Sequence, residues 1–143
     1  MRLSLHSDYA LRILMALAAT GRQMSVEEIA GQYGISRNHL AKVAQRLQAL
    51  GYVSAQRGRG GGLTLARGAD DVGVGTIVRQ FENLEGLVEC MDPATSTCPV
   101  CGGCGLQNAL GGALAAFLAH LDGYTLTDLV PQPSRFRTLL GVA

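Results

Sequence analysis

No apolar run in this 143-residue chain approaches the roughly 18 consecutive residues that a membrane-spanning helix needs. The opening, Met-Arg-Leu-Ser-Leu-His-Ser-Asp, has neither the hydrophobic stretch nor the small-residue cleavage site of a secretory leader. These two absences predict a cytoplasmic protein with no membrane partner. Cysteine is missing everywhere except residues 90–104, which hold all four. A disulfide-stapled secreted fold would spread its cysteines along the chain, so the sequence speaks against that class. There is no internal repeat and no low-complexity tract. The glycine cluster Arg57-Gly-Arg-Gly-Gly-Gly62 lacks the Gly-Lys-Ser/Thr ending of a nucleotide-binding loop and precedes a strand, not a helix. No catalytic base is partnered with a cysteine, so the sequence does not read as an enzyme.

What is present begins with charge. Residues 1–67 carry nine Arg or Lys against three Asp or Glu, and residues 68–143 carry three against eight. A basic half joined to an acidic half suits a polyanion-binding module with a separate part that does not bind. Apolar spacing predicts a helix from Leu5 to Ala19, ended by Gly21. Ser25-Val-Glu-Glu28 reads as a capping box before a short helix. Ser36 then caps a second helix, Arg37 to Leu50, whose inner face is Leu40, Val43, Ala44, Leu47 and Leu50. Strands at residues 52–56 and 63–65 flank the glycine cluster as a hairpin. A further helix is expected near Thr76 to Asn83, and a long apolar one from Leu106 to Asp122, suited to packing on a second subunit. Gly111 and Gly112 in that helix would permit a close approach by another helix. Pro131 and Pro133 are expected to end regular structure before a short tail.

Helix, turn, helix, basic hairpin is the order of a winged helix-turn-helix, so the expected fold is mainly α with a small β-hairpin and a long dimerisation helix. The expected division is a DNA-binding domain at 1–67, a connecting helix and cysteine-rich loop at 68–104, and a dimerisation helix and tail at 105–143. Ser36, Arg37, Asn38, His39 and Lys42 open the second helix with donors for base edges and phosphates. Arg57 and Arg59 supply charge at the hairpin tip, and Gly60 lets that tip lie close to the DNA backbone.

The cysteines are spaced Cys90-x7-Cys98-x2-Cys101-x2-Cys104. Thiolates are soft ligands suited to zinc or to iron–sulfur clusters. Cys98-x2-Cys101-x2-Cys104 matches the first three ligands of a bacterial ferredoxin run, without the Cys-Pro that would follow. A structural zinc site would pair two separated Cys-x2-Cys knuckles, and only one such group is present. Redox-active thiols are a third reading, although no βαβ context surrounds them. Spacing leaves all three open.

Taken together, Leu3-x4-Asp8-Tyr-Ala-Leu-Arg12, Ile35-Ser-Arg-Asn-His-Leu40 and Gly51-Tyr-Val followed by the glycine-rich wing resemble the NsrR and IscR family of iron–sulfur transcription regulators. Ser36-Arg-Asn-His39 and Leu121-Asp-x-Tyr-Thr-Leu-x-Asp-Leu129 are most similar to its NsrR branch, whose members are homodimeric repressors that sense nitric oxide. The resemblance implies a 4Fe-4S or 2Fe-2S cluster held by Cys90, Cys98 and Cys104, with Asp8 donated from the partner subunit's first helix. It also implies a palindromic double-stranded DNA operator and nitric oxide as the signal, with iron or redox status as the alternative. In the IscR branch a histidine follows the last cysteine by three residues; Gln107 stands there, against that arrangement. Cys101 is an extra thiol and an alternative to Asp8 as fourth ligand. His6 is close to Asp8 in sequence and could support it, His39 reads as a DNA contact, and His120 as a helix-face residue.

Overall fold

The first helix, α1 (Leu5–Thr20), starts where the Ser4 hydroxyl accepts the Ser7 N–H at 3.2 Å and ends at Gly21. The computed structural model describes residues 2–92 and 94–143. Ala10, Ile13, Leu14, Ala16 and Leu17 make α1 the central element of the core. It packs against the second helix of the helix-turn-helix and the hairpin, and also against three helices from the second half of the chain.

α2 (Val26–Tyr33) and α3 (Arg37–Ala49) follow, joined through Gly34. The capping box at α2 is only half made. The Ser25 hydroxyl accepts the Glu28 N–H at 3.0 Å, but the Glu28 carboxylate turns to Arg22 at 2.6 Å. That hydrogen bond to Arg22 holds the Glu28 carboxyl below its ordinary pKa. β1 (Val53–Gln56) and β2 (Gly62–Leu65) pair antiparallel with Val53 opposite Leu65 and Gln56 opposite Gly62. Met24 extends this ladder, exchanging two backbone hydrogen bonds with Leu63 at 3.0 and 2.7 Å.

α4 (Val74–Phe81) begins and ends two residues before the expected helix. Its start is pulled forward by burial of Val74, and its end is fixed by Glu82, which turns extended and accepts the Ser4 N–H at 2.7 Å. Two short 3₁₀ turns, Leu84–Gly86 and Glu89–Met91, lead through the cysteine region into α5 (Gly105–Asp122). Arg79 of α4 binds Asp122 of α5 through two hydrogen bonds of 2.5 and 2.7 Å. Gly75 makes room for this pair, since a Cβ there would lie 2.1 Å from the Asp122 carboxylate.

The tail is not irregular, which corrects the sequence expectation. α6 (Leu126–Leu129) is opened by a reciprocal capping box between Thr125 and Asp128, and α7 (Pro133–Leu140) follows. Pro133 lies in the first turn of α7, where a missing N–H breaks no helical hydrogen bond. Leu126 and Val130 are buried, and Arg137 donates to the Ala19 carbonyl at 2.8 Å, holding α7 on the end of α1. The fold is therefore mainly helical with one β-hairpin, as expected.

α5 differs from every other long helix. Of its apolar stripe only Leu118 is buried; Leu110, Leu114, Phe117 and Leu121 are half-buried, and Leu106 is 52% exposed. A Cβ placed on Gly111 or Gly112 would meet nothing within 4 Å, so no helix of the same chain approaches closely there.

Candidate DNA-binding surface and cysteine loop

The inner face of α3 is fixed by Leu40, Val43, Ala44 and Leu47, all buried in the core. Helical geometry then turns the remaining positions outward, and Ser36, Arg37, Asn38, His39 and Lys42 are all exposed. Asn38 and Lys42 are four residues apart and share a helix face. Ser36 occupies the capping position, but its hydroxyl makes no capping hydrogen bond, contrary to expectation. That leaves the hydroxyl free to donate elsewhere.

The wing is held by backbone approaches that only glycine permits. A Cβ on Gly61 would lie 2.2 Å from the Gln56 carbonyl oxygen, and one on Gly62 would lie 2.7 Å from that of Met24. The Gly60 carbonyl accepts the Gln23 side-chain amide at 2.6 Å, which ties the tip to the segment ahead of α2. Arg57 and Arg59 are exposed at this tip.

Arg2 apart, the cations of the basic half divide into two sets. Arg12 pairs with Asp8 at 3.0 Å and lies over the Tyr33 ring, and Arg22 pairs with Glu28. Arg46 donates to the Gln80 carbonyl and covers the Phe81 ring at 4.7 Å, joining α3 to α4. Arg67 donates to the Gly51 and Leu50 carbonyls at 3.0 and 3.2 Å and covers Tyr52, closing the end of α3. Among the described residues, Arg37, Lys42, Arg57 and Arg59 make no ion pair. All four were singled out from sequence. The structural roles of Arg46 and Arg67 were missed, because their partners are distant in sequence. The i,i+4 spacing of Asp8 and Arg12 was a signal for their pair.

The cysteine loop is organised by its own hydrogen bonds. The Glu89 carboxylate accepts the Thr97 N–H at 2.6 Å and the Thr97 hydroxyl at 2.7 Å, and these hold its pKa below the ordinary carboxylate range. Asp92 likewise accepts from the Thr95 hydroxyl at 2.7 Å and the Ala94 N–H at 3.1 Å. Cys90 and Cys98 are half-buried, Cys101 and Cys104 are exposed, and all four thiols are free. Cys104 caps α5, its Sγ accepting the Leu106 N–H at 3.4 Å. Among the described residues, no three His, Cys, Asp or Glu side chains gather into a metal-binding group. Asp8 sits on α1 in its pair with Arg12, His6 and His39 are exposed, His120 lies against Tyr124 at 5.3 Å, and Gln107 is in the first turn of α5. The donor chemistry still fits a thiophilic group: the nearby carboxylates are engaged in loop hydrogen bonds, and the free donors are sulfur.

A family model described as Rrf2, iron-dependent transcriptional regulator, matches residues 3–132. The HTH-type transcriptional regulator NsrR of Bacillus subtilis (strain 168) is 44% identical over 142 residues, covering 98% of this chain and 97% of that protein. Its namesake in Bacillus licheniformis is 39% identical over 142 residues, covering 98% and 99%. The solved structure of CymR, the global cysteine regulator of B. subtilis, superposes with a TM-score of 0.72 at 25% identity, covering 92% of this chain and 97% of that one.

Proposed function

We propose a function from one established premise: the chain belongs to the Rrf2 family of transcriptional regulators, which are not enzymes. In this reading it is a DNA-binding repressor that senses nitric oxide through an iron–sulfur cluster and loses DNA affinity when the cluster is nitrosylated. The observation that carries DNA binding is that the exposed cations of α3's outer face and the wing, Arg37, Lys42, Arg57 and Arg59, make neither an ion pair nor a side-chain hydrogen bond among the described residues, unlike Arg46 and Arg67. Unpaired cations release counterions from DNA on binding, whereas cations already paired gain little. Residues 1–67 read a palindromic operator, with Ser36, Asn38 and His39 supplying further donors and Gly60 a close backbone approach. Residues 68–104 hold the cluster, and residues 105–143 pair two subunits. The open apolar stripe of α5 supports the homodimer, since a stripe of this kind is commonly covered by a partner.

Cys90, Cys98 and Cys104 hold the cluster together with the partner subunit's Asp8, and Cys101 stands outside the ligand set. When bound, the cluster supplies iron that nitric oxide can ligate. Asp8 meets Arg12 through both of its oxygens, each of which keeps a further lone pair for a ligand. The loop begins at a junction clamped twice. Glu82 accepts the Ser4 N–H at the start of α1, and the Gln80 carbonyl accepts Arg46 from α3. These two hydrogen bonds give the loop a route to both α1 and the DNA-reading helix, which coupling between the two sites requires.

The test is iron and acid-labile sulfide per chain in protein purified without oxygen, followed by operator binding with and without nitric oxide. Iron with matching sulfide and an affinity that falls on nitrosylation is the expected result. Zinc without sulfide, or operator binding unchanged while nitric oxide destroys the cluster, would overturn the sensing part. Cys90→Ala, Cys98→Ala and Cys104→Ala are each expected to abolish cluster loading, and Cys101→Ala to retain it.

A further inference from the structure

Cys101 is the thiol that the ligand assignment leaves without a role, and its surroundings give it one. Cys98-Pro99-Val100-Cys101 closes a turn in which the Cys101 N–H donates to the Cys98 carbonyl at 3.1 Å. Proline suits the second position of such a turn, because its ring presets the backbone angle. A turn of this kind holds its first and last α-carbons within roughly 7 Å, which overlaps the span a disulfide bridges. The Gly103 N–H then donates to the Val100 carbonyl at 3.1 Å, and this second turn leaves Cys101 on an exposed corner. Cys98 is half-buried behind it, next to Thr97, which the Glu89 carboxylate clamps. Cys104 is placed differently. No backbone hydrogen bond joins it to Cys101 among the described residues, and its sulfur is held by the Leu106 N–H at the start of α5.

We propose that Cys98 and Cys101 form a disulfide when the cluster-free chain meets a peroxide. The exposed Cys101 thiol gives up its proton and its sulfur attacks one oxygen of hydrogen peroxide; the O–O bond breaks, and the departing hydroxide takes up that proton, leaving a sulfenic acid and water. The Cys98 thiol then loses its proton and attacks the Cys101 sulfur; the S–O bond breaks, the leaving hydroxide takes up that proton, and a second water departs as the S–S bond closes. Peroxide takes two electrons and the two thiols lose them. The bond removes Cys98 from the donor set, so an oxidised chain cannot be reloaded until a thiol reductant opens it. That consequence rests on the ligand assignment proposed above; the disulfide itself does not.

The experiment uses the full chain, freed of iron by chelation and treated with hydrogen peroxide. Peptide mapping without reductant should locate one intrachain Cys98–Cys101 bond, reversed by dithiothreitol. Reconstitution with ferrous iron and sulfide should then fail for the oxidised protein and succeed after reduction. Reduced Cys101→Ser should load as reduced wild type does, and after peroxide its peptide map should lack the bond found in wild type. A bond mapped to Cys90 or Cys104, or between chains, overturns the proposal. So does failure of reduced Cys101→Ser to load, which would make Cys101 a ligand. If the mapped bond is Cys98–Cys101 but reduced wild-type protein takes up no iron, the cluster reading falls and the disulfide stands.

Discussion

Residues 5–65 and residues 82–122 are built on opposite terms. In the first region Ile13, Leu14, Ile29, Leu40 and Leu47 are fully buried, and each helix has ends set by nearby residues. In the second, α5 buries only Leu118, the loop ahead of it is held by its own short-range hydrogen bonds, and four thiols are free. The first region buries most of its apolar side chains within the chain and leaves few buried polar atoms, such as the Tyr33 hydroxyl, without a partner among the described residues. The second presents an apolar stripe and a set of soft donors that the chain alone does not satisfy. Reading DNA needs a rigid scaffold under exposed side chains. Sensing, in the proposed function, needs a segment whose structure depends on what is bound to it.

The largest effect should separate the two regions directly. Leu47→Ala in α3 opens a cavity in the shared core and should cost roughly 2–5 kcal/mol in urea unfolding. Leu106→Ser in α5 should cost no more than about 0.5 kcal/mol at protein concentrations where the chain is monomeric. The same Leu106 change should weaken self-association in sedimentation. Equal destabilisation by both substitutions at low concentration would erase the contrast.

Within the first region, the two sets of cations sharpen the comparison. Arg59→Ala should lower operator affinity across all sequences and reduce the slope of log affinity against log salt by about one, with thermal stability unchanged. Arg67→Ala should do the reverse. It loses two carbonyl partners and the face of Tyr52, for a cost of about 1 kcal/mol, and should leave the salt slope as it was.

How much of this could be read from sequence follows the same division. α1, α2, α3 and the hairpin were legible because their signals are local: apolar spacing, Ser25 at a helix start, Gly21 at a helix end and the glycine cluster between two strands. The exposed residues of α3 and the wing followed from that register. The tail was misread because Pro133 was taken as a breaker, when what decides α7 is tertiary: Arg137 reaching the Ala19 carbonyl 118 residues back. Arg46 and Arg67 counted toward the basic half of the chain in sequence, yet their partners, Gln80 and Leu50, lie 34 and 17 residues away. Cysteine spacing identified the donor chemistry of the loop, but spacing fixes neither which thiols act together nor what they hold.

The smallest effect tests whether the first region is as self-sufficient as it looks. The Tyr33 hydroxyl is buried with no hydrogen-bond partner among the described residues, and burial pushes its pKa up to about 12. Its folded pKa lies above the ordinary value of 10.0, so the neutral phenol favours the folded state. That stability is fully present below pH 10 and is lost as pH rises through about 12. Tyr33→Phe keeps the ring that faces Arg12 and removes the uncompensated hydroxyl. Stability near neutral pH should stay the same or rise by up to about 1 kcal/mol, and the alkaline loss should flatten relative to wild type in thermal unfolding. If Tyr33→Phe instead destabilises the protein at neutral pH, the hydroxyl has a partner that the single chain does not supply. If the loss grows with protein concentration, that partner is a second subunit, and Tyr33 belongs with α5 among the residues that the dimer completes.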